Sequence, residues 1–293
     1  MRRPLGVLTA LLLAVTLLAA AGPAVAGRDG GSTAAAPAAR GVLPPLPTAP
    51  EGDVAGVNDW GCRPTARRPV PVITVHGTIG DRRHLLEGLQ QAMLDRGFCV
   101  FSPDYGNRGL GEISKSARQL KAFTQRVLRA TGARKVSMVG HSQGGMMPRY
   151  YIKFLGGAKV VDDLVGIAPS NHGTALTQGG ESNLLADVVG LLCRACVQQG
   201  AGSQFLARLN RGDETPGRVS YTQITTRYDE VVVPHTSGYL ARGPRTTNVT
   251  IQSLCRSDLR EHLFIPLSPT TIEITLDALT REGPARIRPA LGC

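Results

Sequence analysis

An α/β architecture with a mostly parallel central sheet flanked by helices is predicted by three features of this sequence. Short β-branched runs alternate with helical stretches from Val70 onward. The spacing between successive runs leaves room for the helical crossovers that parallel strands require. A glycine-flanked serine, Ser142, falls between one such strand and one such helix. The chain has 293 residues with a formal net charge of +11, and is 42% hydrophobic and 19% charged. That balance is globular and basic and excludes disorder throughout.

The first 26 residues read as a secretory signal. Arg2 and Arg3 precede an apolar run from Leu5 to Ala21, and Ala24-Val25-Ala26 is a small-x-small cleavage site. A membrane anchor is the alternative, but Gly22-Pro23 interrupts a run already shorter than the roughly 20 residues a spanning helix needs. The mature product is expected to start near Gly27 and to be secreted and extracellular. Residues 27–58 are rich in Ala, Gly and Pro without a hydrophobic period and are expected to form a linker. Residues 59–293 then form one domain of about 235 residues.

Within that domain, Val70 to Val75 reads as the first strand. Residues 84 to 95 place Leu85, Leu86, Leu89 and Met93 on one helical face, Gly97 stops the helix, and Phe98 to Phe101 is the next strand. Residues 114 to 130 repeat a helical period through Leu120, Phe123, Val127 and Leu128, and Lys135 to Val139 follows as a buried strand after Gly132.

Next come Gly140-His141-Ser142-Gln143-Gly144-Gly145 and the helical stretch Met146 to Leu155. Strand, GxSxG and helix in that order match a nucleophile elbow, a strained turn at which side chains on the flanking positions would obstruct the backbone. The bare pattern is short enough to arise by chance, and its position between strand and helix carries the inference. Upstream, His76-Gly77-Thr78-Ile79-Gly80 follows the first strand, where an acyl-transfer site needs donors for the oxyanion of its tetrahedral intermediate. Thr78 and the N–H of Gln143 are the candidate donors. His76 is a candidate base, although a histidine at a strand end is more often structural.

A nucleophilic serine also needs a base and an orienting carboxylate, in the chain order serine, acid, histidine. Asp229 follows the strand-like Val219 to Thr225, and His262 follows the strand-like Thr246 to Gln252. Glu230 and Asp258 are alternative acids and His235 an alternative base, but chain order favours Asp229 and His262.

Taken together, the His-Gly-Thr loop, the G-H-S-Q-G-G elbow, T-x-x-D-E-V-V-x-P around Asp229 and a cysteine ahead of His262 resemble the secreted bacterial class 2 lipases and, more distantly, fungal lipase B. The resemblance spans about Trp60 to Cys293. It implies an α/β-hydrolase fold, Ser142 as nucleophile, Asp229 and His262 as its partners, and Thr78 and Gln143 as oxyanion donors. It also implies bridges Cys62 to Cys99 and Cys255 to Cys293. His76 stands where fungal lipase B has proline, and Cys193 and Cys196 are additional, so substrate preference does not carry over.

Six cysteines in an exported chain point to disulfides, and Cys193-Arg-Ala-Cys196 reads as a local structural bridge rather than a redox pair. Between elbow helix and acid, Leu184, Leu185, Val188 and Val189 belong to an apolar segment that extends to Leu192. It reads either as a substrate-binding wall or cap inserted over the site or as a buried core helix. His172 reads as a loop histidine near the entrance. Scattered arginines with 4% aromatics argue against nucleic-acid binding, and no ligand spacing suggests a metal or organic cofactor. The expected partners of this monomer are a lipid or other ester substrate and, transiently, a lipid interface. The expected function is ester hydrolysis as a lipase or carboxylesterase. Polyester hydrolysis or acyl transfer would use the same residues, and a silent binding protein would require a broken triad.

Overall fold

The computed structural model describes residues 52–175, 191–288 and 293. Among them, six parallel strands form one sheet: β1 (Val72–Val75), β2 (Val100–Phe101), β3 (Val136–His141), β4 (Val161–Ile167), β5 (Ser220–Thr225) and β6 (Thr246–Thr250). Their spatial order is β2-β1-β3-β4-β5-β6. The helices of five or more residues among the described residues are α1 (Glu87–Asp95), α2 (Ile113–Thr131), α3 (Gln143–Phe154), α4 (Arg194–Gln198), α5 (Gln204–Asn210) and α6 (Pro269–Thr280).

Alternation along the strands sends apolar side chains to both faces, as a sheet covered on both sides requires. Ile73, Val75, Met138, Leu164 and Tyr221 pack with Leu120 of α2 and Met146, Met147 and Tyr151 of α3. Val72, Val139, Val165, Ile224 and Val249 pack instead with Leu89 and Met93 of α1 and Ile274 and Ala278 of α6. The nucleophile candidate lies at the C-terminal end of central strand β3, where the crevice of an open parallel sheet is found.

Several elements differ from the sequence reading. β1 starts at Val72 because Pro71 has no N–H to give the ladder. α1 starts at Glu87, and Leu85 is outside it with φ +60°. The chain before it is held in a turn by Asp81, whose Oδ1 accepts from the N–H groups of Arg83 and His84. α3 begins at Gln143, immediately after the serine, three residues earlier than its apolar pattern suggests.

The linker boundary at residue 58 also falls too late. Val57 is buried among Val72, Phe98 and Val100, with Val54 packed alongside. The Asn58 N–H donates to Val100 O at 3.0 Å, while the Asn58 side chain donates to Ser102 O and accepts from Ser102 N–H. These bonds occupy the outer edge of β2.

Three disulfides are present, Cys62–Cys99, Cys193–Cys196 and Cys255–Cys293. The first ties the entry segment to β2, the second closes the first turn of α4, and the third encloses the chain that carries His262.

Candidate active site

The strand-to-helix turn places Ser142 at φ +56° and ψ −123°, a conformation that costs an L-residue free energy. Its glycines are required by contact. A Cβ on Gly140 would overlap the carbonyl of Gly144, and one on Gly144 would overlap the carbonyls of Val75 and His76. Close approach of β1, β3 and α3 is thus possible only with hydrogen at both positions. The side chain of Ser142 is brought to the strand ends, and the N–H of Gln143 is among the unpaired donors at the start of α3.

From there a hydrogen-bond relay crosses the sheet. His262 Nε2 lies 3.0 Å from Ser142 Oγ, and Nδ1 lies 3.0 Å from Asp229 Oδ2 and 2.9 Å from Oδ1. The carboxylate accepts, so Nδ1 carries the proton and Nε2 is left to accept from the serine hydroxyl. Asp229 Oδ1 also accepts from the N–H groups of Val231 and Val232 at 3.0 and 2.7 Å, which fixes the acid on its loop. All three side chains are buried.

His141, inside the elbow motif, holds the relay from behind. Its Nε2 is 2.8 Å from the main-chain oxygen of His262. A carbonyl only accepts, so the proton is on Nε2. Burial and then the neighbouring His262 push the His141 pKa down to about 3, which keeps the ring neutral. This role was not legible from the motif, because it joins residues 121 apart in the chain.

Beside the serine, the loop after β1 is clamped in a strained form. Ile79 has φ +65°. Its N–H donates to Arg108 O at 2.7 Å, and its carbonyl accepts from Arg108 Nη2 at 2.6 Å and Nε at 3.1 Å. The clamp sets Thr78, whose Oγ1 accepts from Gln143 Nε2 at 2.9 Å and Gln199 Nε2 at 3.0 Å. Thr78 and Gln143, paired in the sequence reading as oxyanion donors, are thus in contact.

The remaining candidates fall elsewhere. His76 is fully buried, stacked on Tyr105 at 4.2 Å between centroids, with Nδ1 donating to Gly77 O. Burial pushes its pKa down to about 4, and its main-chain oxygen accepts from the Tyr105 hydroxyl. It is structural. Asp258 braces the histidine loop, accepting from Ser268 Oγ at 2.6 Å and from Arg260. Glu230 pairs with Glu261, with burial first and then the Glu261 charge raising its pKa. His235 sits in a short 3-10 turn after the acid loop. His172 pairs with Glu214 at 2.9 Å, which raises its pKa. Leu184, Leu185, Val188 and Val189 lie outside the described residues. Leu191 and Leu192, at the end of the same segment, are 86% and 72% exposed. The described residues contain no cluster of three or more metal-ligating side chains.

Comparison with known proteins gives this geometry a lineage. The profile of the family described as Lipase (class 2) matches residues 69–264, well over half of the chain and inclusive of Ser142, Asp229 and His262. A triacylglycerol lipase from Pseudarthrobacter phenanthrenivorans is 32% identical over 133 residues, covering 41% of this chain and 39% of the relative. One from Burkholderia plantarii is also 32% identical, over 41% of this chain and 35% of its own length. The chain thus spans less than half the length of the curated relatives it matches. Among solved structures, Aspergillus fumigatus lipase B superposes with a TM-score of 0.65 at 21% identity, over 78% of this chain and 57% of that one. Mature Bacillus licheniformis lipase BlEst2 gives 0.58 at 18% identity, over 75% and 95%. These likenesses fix the fold as that of the α/β-hydrolases. By the extent of the profile match, the chain belongs to the class 2 lipase family.

Proposed function

We propose that this protein is a secreted serine hydrolase that cleaves carboxylic ester bonds of lipids. The observation that carries the proposal is the continuous relay from Ser142 Oγ through His262 to Asp229, with links of 3.0 Å on either side of the imidazole. His262 takes the Ser142 proton on Nε2 as Oγ bonds to the ester carbonyl carbon, and Asp229 stabilises the imidazolium that forms. The carbonyl oxygen becomes an oxyanion that the Gln143 N–H and the Thr78 hydroxyl stabilise. As the intermediate collapses, the C–O bond to the alcohol breaks and His262 returns its proton to the leaving oxygen. Water, deprotonated by the same nitrogen, then attacks the acyl carbon; the bond from that carbon to Ser142 Oγ breaks, Oγ takes the proton back from His262 Nε2, and the acid is released.

A lipid substrate is supported by the triacylglycerol lipases among the relatives and by exposed apolar residues next to the relay in the chain: Ile79 in the Thr78 loop, and Leu263 and Phe264 after His262. Export is supported by the leader at residues 1–26 and by three disulfides. The test is hydrolysis of p-nitrophenyl esters from short to long acyl chains and of emulsified triacylglycerol, by the mature protein and by Ser142→Ala. Turnover that rises with chain length and is lost in the variant is the expected result. An Ser142→Ala protein as active as the parent would overturn the assignment.

A further inference from the structure

We infer that Gln199 is a positioning residue for the reaction: together with Gln143 it saturates both lone pairs of the Thr78 hydroxyl oxygen and so frees that hydroxyl's single proton for the oxyanion. The inference rests on the proposed role of Thr78 as an oxyanion donor.

The donor and acceptor assignment follows from two carbonyls. Gln199 Nε2 lies 3.2 Å from Ala195 O as well as 3.0 Å from Thr78 Oγ1, and its Oε1 accepts from Ser170 Oγ at 2.8 Å. Turning this amide over would set its oxygen against the Ala195 carbonyl, so nitrogen faces Thr78. Gln143 Nε2 is fixed in the same way by Gly109 O at 2.7 Å. Both amides therefore donate to Thr78 Oγ1. A threonine hydroxyl has two lone pairs and one proton. With both pairs occupied by donors, the proton is directed to a third position, and no acceptor for it is found among the described residues. A free hydroxyl rotor would instead spend its proton on whichever carbonyl or water was nearest. Orienting it before the reaction is the preorganisation that makes an oxyanion donor effective.

Gln199 is held for this task. It follows α4, whose first turn is closed by Cys193–Cys196. The helix is docked against the turn that supports Gln143, with Ala195 N–H donating to Leu110 O at 3.0 Å and Ile113 N–H donating to Gln198 Oε1 at 2.8 Å. The Gln199 side chain is itself buried.

The test is a double-mutant cycle on the full chain with a soluble short-chain ester, read as kcat and KM separately over a pH series. Thr78→Val should lower kcat about 100-fold with KM little changed. Gln199→Met removes the donor without adding charge and should lower kcat several-fold. Gln199→Glu is isosteric, and once ionised the introduced carboxylate takes the Thr78 proton. The kcat of Q199E should then fall toward that of T78V as pH rises, a limb the parent lacks. In the T78V background neither Gln199 change should have a further effect beyond about twofold. Equal losses in both backgrounds, or a Q199E protein with parental kcat across the series, would overturn the role of Gln199 while leaving Thr78 as a donor. If T78V alone keeps parental kcat, the Thr78 donor fails and the inference with it. Melting temperatures of every variant separate these outcomes from loss of folded protein.

Discussion

The Nε2 proton of His141 is shared with the main-chain oxygen of His262 at 2.8 Å, so the residue before Ser142 fixes the backbone of the residue whose imidazole lies 3.0 Å from Ser142 Oγ. The end of central strand β3 and the loop that follows edge strand β6 are thereby registered to each other. The bond is neutral to neutral, and with the His141 pKa near 3 it persists across the range in which an ester hydrolase would work.

Replacing His141 by Ala should therefore lower kcat roughly 10- to 100-fold with a small change in KM, because a misplaced base is lost to the transition state more than to substrate binding. Steady-state kinetics with a soluble ester measures this. An unaltered kcat would show that the His262 loop is held by Asp258 and its partners alone.

The elbow glycines divide sharply from the surface ones. Gly144→Ala would drive a methyl group into the carbonyls of Val75 and His76 and should cost more than about 4 kcal/mol, a large part of the roughly 5–15 kcal/mol that holds a domain folded. Gly97 has φ +79° and open space around its Cβ direction, so Gly97→Ala should cost only about 1 kcal/mol of backbone strain. Urea denaturation of the two variants checks the contrast.

Asp163 lies buried in β4 with Ser137 Oγ donating to it at 2.9 Å, and burial raises its pKa to about 7 from 3.8. Between those two values the folded protein holds a proton that the unfolded chain has released. Stability from this group is thus present at low pH and is lost as pH rises toward 7. Asp163→Asn should be more stable than the parent at pH 8, by up to a few kcal/mol, and the gain should shrink to nothing near pH 4. Melting temperatures at the two pH values give the sign directly.

Cys255 and Cys293 close a loop of sequence separation 38 that contains His262. Changing both to serine should remove about 4 kcal/mol, from the entropy of the opened loop in the unfolded chain. Thermal inactivation should move to lower temperature in parallel with the melting transition.

What could be read from the sequence, and what could not, follows the range of the interactions. Ser142, Asp229 and His262 follow β3, β5 and β6 in a fixed chain order, so local patterns nominate them. Gln199 and His141 act through hydrogen bonds to residues 121 positions away and leave no local signal. Strand β4 has a weak sequence signal because Asp162 and Asp163 interrupt its apolar run. In the fold Asp162 is paired with Lys135 at 2.6 Å and Asp163 is shielded beside Ser137, so tertiary contacts override the composition. Helix α6 is equally weak in the sequence, since its threonines at 270, 271 and 275 are buried and mask the amphipathic period.

The seam of hydrogen bonds that Asn58 makes along β2 also protects the protein from its own copies. Without it, the main-chain groups of Val100 and Ser102 would face solvent as an open template for another strand. A chain trimmed to begin at Trp60 would keep the relay and most of the core, yet its outermost strand would be free to recruit neighbours, and its characteristic fault would be aggregation rather than loss of chemistry.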